Sequence, residues 1–353
     1  MYPALAVTRA LGKRAEVLWV GGEGGMEASL VRRTGIAFEA IPAAGVHGVG
    51  LRALPGNLWR LARGVTAARR VIRRFVPDAL FFTGGYVGVP VALAGRRLPK
   101  VVYVPDIEPG LALKLLSRTA DVVAVTADDS RGRYPQRKNV VVTGYPTRPE
   151  LQAVGQAAAR HALGLEMGRP VVLVFGGSRG ARSINRALWA RLPQILEETQ
   201  VVHITGELDW PETAPVQAAL PAGLARGYHP HAYLHDEMAA ALESADLAVS
   251  RAGASTMGEF PLFGLPAVLV PYPHAWQYQK VNAEYLVRCG AAVRVNDEDL
   301  GEQLAPTVLA LLENRSRLEA MAAAARRLAK PQAAMAIAAE IERLVETTGR
   351  RRG

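Results

Sequence analysis

Short, mostly apolar runs recur along the chain at residues 16–20, 79–83, 101–104, 122–125, 140–143, 171–175, 201–205, 247–250 and 267–270. Runs of four or five residues without polar alternation predict strands buried on both faces, which is the pattern of parallel sheets covered by helices. Between them lie helical stretches. Residues 3–13 read as a helix with Leu5, Ala6 and Leu11 apolar, and a second helix holds Met26, Leu30 and Val31. In residues 57–75, Leu58, Leu61, Val65, Ala68, Ile72 and Phe75 form an apolar stripe at three- and four-residue steps, with six arginines off it. Further helices are expected over 148–163 and 181–190, and over a tail from 304 to 344 that is interrupted at Pro331. Alternation of strands and helices predicts an α/β fold, and a second series begins after residue 148. The expected organisation is a first domain over 1–148, with a helix at about 332–350 packing back onto it, and a second over 164–330. The simplest architecture is two Rossmann-like domains facing one cleft, with ligands beyond the strand ends.

Composition narrows the class. In 353 residues, Gly 34 and Pro 23 are spread rather than massed, and half the chain is hydrophobic, so it is globular. A single cysteine, Cys289, excludes an internal disulfide and is expected to pack in the core. No apolar run reaches the roughly 18 to 20 residues of a spanning helix. The net charge of +10 implies an anionic partner: a phosphate-bearing substrate, a lipid surface or nucleic acid. Nucleic acid ranks last, because zinc-finger spacing, an RNP-like aromatic signature and a basic tail longer than Arg350-Arg351-Arg352 are all missing. The arginines of residues 57–75 suit anionic headgroups, while the apolar stripe suits packing on a sheet.

The most informative stretch runs from Asp246 to Glu259. A buried strand ends at Ser250, a loop of small residues follows, and Ser255 or Thr256 can cap a helix with Glu259 in its first turn. Such a helix start offers amide donors to a phosphate, and a carboxylate one turn in suits the paired hydroxyls of a ribose. An ordinary capped crossover helix accounts for the same residues, so both readings stand. Gly21-Gly22, Gly84-Gly85 and Gly176-Gly177 each follow a strand and keep side chains out of the way of backbone donors, but none is followed by the Lys-Ser/Thr of a P-loop. Asp297-Glu298-Asp299 reads as a cap on the helical tail rather than a metal site. His229, His231 and His235 lack zinc-type company.

Several segments taken together are more specific. Gly176-Gly177-Ser178-Arg179-Gly180-Ala181-Arg182, the Ser250 to Glu259 segment, Gly264-Leu265-Pro266-Ala267 and His274-x4-Gln279-x2-Asn282-Ala283 stand in the second half. Pro3-Ala4-Leu5-Ala6, Gly84-Gly85-Tyr86, Pro109-Gly110-Leu111 and Gly144-Tyr145-Pro146-Thr147-Arg148 precede them. In order and spacing they resemble the MurG family, glycosyltransferase family 28, over nearly the whole chain. The resemblance implies the two-domain GT-B fold and transfer of N-acetylglucosamine from UDP-N-acetylglucosamine to a lipid-linked muramyl-pentapeptide at the cytoplasmic membrane face. No metal cofactor is implied. Gly177 and Ser178 would hold the diphosphate, and Ala254, Ser255, Thr256, Met257, Gly258 and Glu259 the diphosphate and ribose. Gln279 would meet the sugar hydroxyls, His235 the uracil, and Arg148 the donor side. Gly84, Gly85 and Tyr86 would face the acceptor diphosphate. Asp106 stands where the family has an asparagine thought to contact substrate, which puts acceptor choice in question. In the family, a strand and a glycine-rich loop ending in a proposed catalytic histidine precede the residues matching Tyr2 to Ala6. The resemblance therefore predicts such a strand and loop, in frame, in the coding DNA upstream of Met1, and leaves the catalytic base and the first strand of the first domain unassigned here. Transfer to another lipid acceptor, 2-epimerisation of the UDP-sugar, and donor binding without turnover are the alternatives.

Overall fold

The structure is a computed structural model that describes residues 1–25, 27–43, 54–177, 180–274 and 277–350. It forms two compact units, one of residues 1–148 with 331–353 and one of residues 149–330.

The first unit runs α1 (Tyr2–Leu11), β1 (Leu18–Gly22), α2 (Glu27–Arg33), β2 (Ala37–Ile41), α3 (Leu54–Phe75), β3 (Leu80–Phe82), α4 (Gly88–Ala94), β4 (Lys100–Val104), α5 (Leu111–Thr119), β5 (Val122–Val125) and β6 (Val140–Val142). Its strands are all parallel and fall into a pair, β1-β2, and a set of four, β3-β4-β5-β6. Both sets feed one core, in which Leu18 and Val20 pack against Leu80, Phe82, Val102 and Val123. Helix α3 turns Ala68 and Val71 inward and leaves Arg60, Arg63, Arg69, Arg70 and Arg73 exposed, so the basic amphipathic pattern is realised as a helix on a sheet.

The second unit runs α6 (Gln156–Ala162), β7 (Val171–Phe175), α7 (Arg182–Glu198), β8 (Gln200–Ile204), α8 (Thr213–Ala219), α9 (Ala222–Ala225), β9 (Tyr228–His231), α10 (Met238–Ser244), β10 (Leu247–Ser250), α11 (Thr256–Phe263), β11 (Ala267–Leu269), α12 (Tyr278–Arg288), β12 (Ala292–Arg294), α13 (Leu300–Glu313) and α14 (Arg315–Leu328). The last helix among the described residues, α15 (Ala333–Arg350), belongs to the first unit and packs on α1. One parallel sheet in the order β12-β11-β10-β7-β8-β9 forms the frame of the second unit. Every residue of the central strands β7 and β10 is buried, which is why they read as unbroken apolar runs.

Several local expectations give way. The helix expected over 148–163 shrinks to α6. Gly155 takes φ +94°, and the Glu243 carboxylate accepts from the amides of Val154 and Gly155 at 2.6 and 2.9 Å, fixing that segment outside a helix. The helix expected over 181–190 continues to Glu198. Strands β2, β9 and β12 carried no clear run. β9 is Tyr-His-Pro-His on a sheet edge, where proline costs no ladder bond on its open side. Cys289 is half-buried at the end of α12 rather than in the core. Glycine at the end of β1 serves packing: a Cβ on Gly21 would lie 2.5 Å from the Phe38 ring, and the Gly22 amide is taken by Glu27 Oε1 at 3.1 Å. The first Gly-Gly pair is therefore not an open anion cradle.

Candidate functional site

In the second unit the chain leaves β7 toward β8 and β9, then returns to lay β10 on the other side of β7. The order of the strands reverses between β7 and β10, and ligands of open parallel sheets bind beyond the carboxyl ends at such a switch point. Two loops meet there. After β7, Gly177 and Gly180 take φ +89° and +75°, and a Cβ on Gly176 or Gly180 would come within 2.3 Å of Ala181 or of Thr205 O, so only glycine lets this loop close against its neighbours. It delivers the chain to the N-terminus of α7, a 17-residue helix whose N-cap Ala181 makes no side-chain cap. The first-turn amides there have no partner within the helix. Ser178, expected beside this diphosphate cradle, lies outside the described residues.

After β10, the loop from Arg251 to Ser255 leads into α11. Neither Ser255 nor Thr256 makes the expected side-chain cap. The Thr256 hydroxyl donates back to Gly253 O at 2.7 Å, and the amides of Thr256, Met257 and Gly258 turn back on the carbonyls of Gly253, Ala254 and Ser255 at 3.0 to 3.2 Å. The donors nearest the loop's mouth are thus at Ala254 and Ser255, slightly earlier than the sequence suggested. Glu259, in the first turn, is buried, and the rings of Phe175 and Phe260 meet edge to face at 5.9 Å below the two loops.

Helix α12 brings Gln279 and Asn282 to the same end of the sheet. Gln279 Oε1 accepts from the Tyr272 amide at 2.9 Å, which fixes the side chain, and buried Asn282 donates to Ala252 O at 3.2 Å, which ties α12 to the β10 loop. His235, past the edge strand β9, is exposed, and its ring lies tilted against Tyr233 with the centroids 4.5 Å apart. Burial holds His229 and His231 below the ordinary histidine range. Among the described residues, no group of three or more His, Cys, Asp or Glu side chains could hold a metal ion.

Three residues of this unit escaped the sequence reading. Asp297 does not cap the tail. It pairs with Arg251 Nη1 at 2.5 Å and accepts from Ser183 Oγ at 2.7 Å, while Asp299 at the N-cap of α13 makes no cap bond. Arg251 stood inside the segment that was noticed, but its partners lie far off in sequence.

In the first unit, Gly84 and Gly85 at the end of β3 take φ +121° and +86°, and Tyr86 is 62% exposed. Asp106 follows β4, the parallel neighbour of β3, so these residues share one sheet end. Arg148 also lies in this unit, where its guanidinium stacks over the Tyr2 ring at 5.0 Å.

Two parallel α/β units, one with a glycine loop, a helix start and a buried carboxylate at its switch point, define a two-domain glycosyltransferase of the GT-B type. Comparison with known proteins agrees with this class. The model of the glycosyltransferase family 28 C-terminal domain matches residues 171–337, and that of the N-terminal domain matches residues 1–125. The chain belongs to glycosyltransferase family 28. It is 42% identical to the UDP-N-acetylglucosamine--N-acetylmuramyl-(pentapeptide) pyrophosphoryl-undecaprenol N-acetylglucosamine transferase of Roseiflexus sp. (strain RS-1), covering 98% of this chain and 92% of that one. The protein of the same name from Desulforudis audaxviator (strain MP104C) is 39% identical over 98% and 95%. The crystal structure of Acinetobacter baumannii MurG superimposes with a TM-score of 0.78 at 29% identity, covering 97% of this chain and 95% of that one.

Proposed function

We propose that this protein moves N-acetylglucosamine from UDP-N-acetylglucosamine to a muramyl-pentapeptide carried on an undecaprenyl diphosphate, the lipid I to lipid II step of peptidoglycan synthesis. The observation that carries the reading is the meeting, at one switch point, of the glycines Gly176, Gly177 and Gly180, the N-terminus of α7, the Ala254 and Ser255 amides and the buried Glu259. Amides and helix dipoles aimed at the diphosphate stabilise charge that grows as the sugar–phosphate bond breaks, so they favour the transition state over the bound donor. Glu259 receives the ribose hydroxyls, Gln279 the sugar hydroxyls, and His235 sits on the uracil side. Gly84, Gly85, Tyr86 and Asp106 serve the acceptor, whose diphosphate suits the open backbone at Gly85.

The acceptor is a lipid, and no helix among the described residues is long and apolar enough to cross a membrane. A peripheral contact is carried by the first unit. Trp59 is 66% exposed on α3 beside Arg60 and Arg63, and Leu93, Leu111 and Leu115 are exposed on α4 and α5 near Arg96, Arg97, Lys114 and Arg118. Apolar residues rimmed by cations fit an anionic lipid surface on the cytoplasmic side.

The test is incubation with UDP-N-acetylglucosamine and lipid I. Release of UDP with formation of the disaccharide lipid II is expected. UDP with a different lipid product, the 2-epimer of the UDP-sugar, or binding without turnover would each replace this reading with another.

A further inference from the structure

Arg251 follows the last residue of β10, and its guanidinium reaches every neighbouring strand exit on that side of the sheet. Nη1 donates to Val270 O beyond β11 at 3.2 Å and to Asp297 Oδ1 beyond β12 at 2.5 Å. Nη2 donates at 2.7 Å to Ser183 Oγ, in the first turn of α7 after the glycine loop of β7. The Tyr272 ring lies 5.2 Å from the guanidinium carbon. Ser183 Oγ donates in turn to Asp297 Oδ1, closing a three-membered cluster. One side chain, 10% exposed, thus ties together the carboxyl ends of β12, β11, β10 and β7, the four consecutive strands on that side of the sheet. The tie extends further, since the Tyr272 amide holds Gln279 and Asn282 holds Ala252.

We infer that Arg251, fixed by Asp297 and Ser183, is a positioning residue for the donor: it sets the register between the α7 helix start, the Ala252–Ser255 loop and Gln279, and Asp297 is its counter-ion. The inference rests on the reading of this sheet end as the UDP-sugar site. Geometry favours positioning over direct contact with phosphate, because three guanidinium hydrogen bonds are already committed to Val270 O, Asp297 and Ser183, which stand on separate elements. Arginine is suited to the task, since its planar fork binds several acceptors at fixed angles, whereas a lysine ammonium cannot span them. Small displacements of such donors are costly, because the charge growing on the departing diphosphate is stabilised only by groups already in place.

Calorimetric titration with UDP, steady-state transfer and thermal melting of the full chain test this on Asp297→Asn, Ser183→Ala, their double variant and Arg251→Lys. Asp297→Asn is expected to weaken UDP binding and raise KM for the donor about tenfold, with kcat changing less. Ser183→Ala gives a smaller loss. The double variant is expected to be no weaker than Asp297→Asn by more than about twofold, because both act through one guanidinium. Arg251→Lys, which keeps the charge, does not restore binding. A merely structural role would lower the melting temperature and leave the affinity of the folded protein unchanged, which overturns the inference. Tighter UDP binding by Asp297→Asn also overturns it, since it would mean that the freed guanidinium grips phosphate itself, and so do fully additive losses. Should Asp297→Asn fail to fold, Ser183→Ala, which removes a single hydroxyl, carries the test. If the parent protein binds no UDP, the donor-site reading falls and the inference with it; if it binds and the variants bind equally, the inference alone falls.

Discussion

Glu259 sits in the first turn of α11 with 7% of its surface exposed, at the mouth of the β10 loop. A carboxylate here is favoured by the helix dipole and can accept from both hydroxyls of a ribose, and hydrogen bonds to a charged group are worth about 1.5 to 3 kcal/mol. Glu259→Ala is expected to weaken UDP binding by at least about tenfold on that scale, and Glu259→Gln by less, since the amide keeps one acceptor. Calorimetry at a temperature where all three proteins are folded decides it, and equal affinities would remove Glu259 from the site. This residue was legible because its context is local: a strand end, small residues and a helix start within ten positions. Asp297 was not. It reads locally as a helix cap, and only the neighbouring strand exits show that its partner is Arg251.

Among the elements, α7, β8 and β9 share a buried polar chain. Asn185 Nδ2 donates to Thr205 O and Asp209 Oδ2 at 2.9 and 2.8 Å, so its Oδ1 faces His203 Nε2 at 3.0 Å and that nitrogen carries the hydrogen. His203 Nδ1 then accepts from Tyr228 Oη at 2.9 Å, which itself accepts from Trp189 Nε1 at 2.9 Å. Burial holds the His203 pKa at about 3, against the opposing pull of Asp209. The folded state keeps this ring neutral while the unfolded chain takes up a proton below about pH 6.5. The contribution to stability is therefore complete above about pH 6.5 and is lost toward pH 3, by up to about 1.4 kcal/mol per pH unit. Urea midpoints between about pH 7 and pH 5 should fall more steeply for the parent than for His203→Gln, and parallel curves would contradict the assignment. The chain also secures the exit of β8, where Thr205 O closes on Gly180, so it supports the glycine loop from below.

At the scale of the whole molecule, charge and apolar surface are distributed unevenly within the first unit. Arg74 is spent on Glu39, whereas Arg60, Arg63, Arg69, Arg70 and Arg73 stay exposed along α3, with Trp59 near its start. Each cation held near an anionic bilayer contributes about 1 kcal/mol. Replacing Arg60, Arg63 and Arg70 together by glutamine is expected to lower binding to anionic phospholipid vesicles by about a hundredfold or more at low salt, and to flatten its salt dependence. Trp59→Ala should weaken binding at every salt concentration. Cosedimentation measures both, and undiminished binding by the triple variant would move the contact elsewhere.

The sequence by itself determined the α/β class, the two series of strands, most of the buried runs, the strand-end loop that carries Gly177 and the helix start that carries Glu259. These are written in periods and turns a few residues long, where side-chain alternation and backbone freedom act directly. It did not determine the edge strands, because β9 and β12 are too short or too polar to show a run. Nor did it reveal the order β12-β11-β10-β7-β8-β9, or the cluster that this order assembles from Ser183 and Asp297, 114 positions apart. A hydrogen bond between distant residues depends on which strands lie side by side, and that is fixed by the burial of whole faces together rather than by any local stretch.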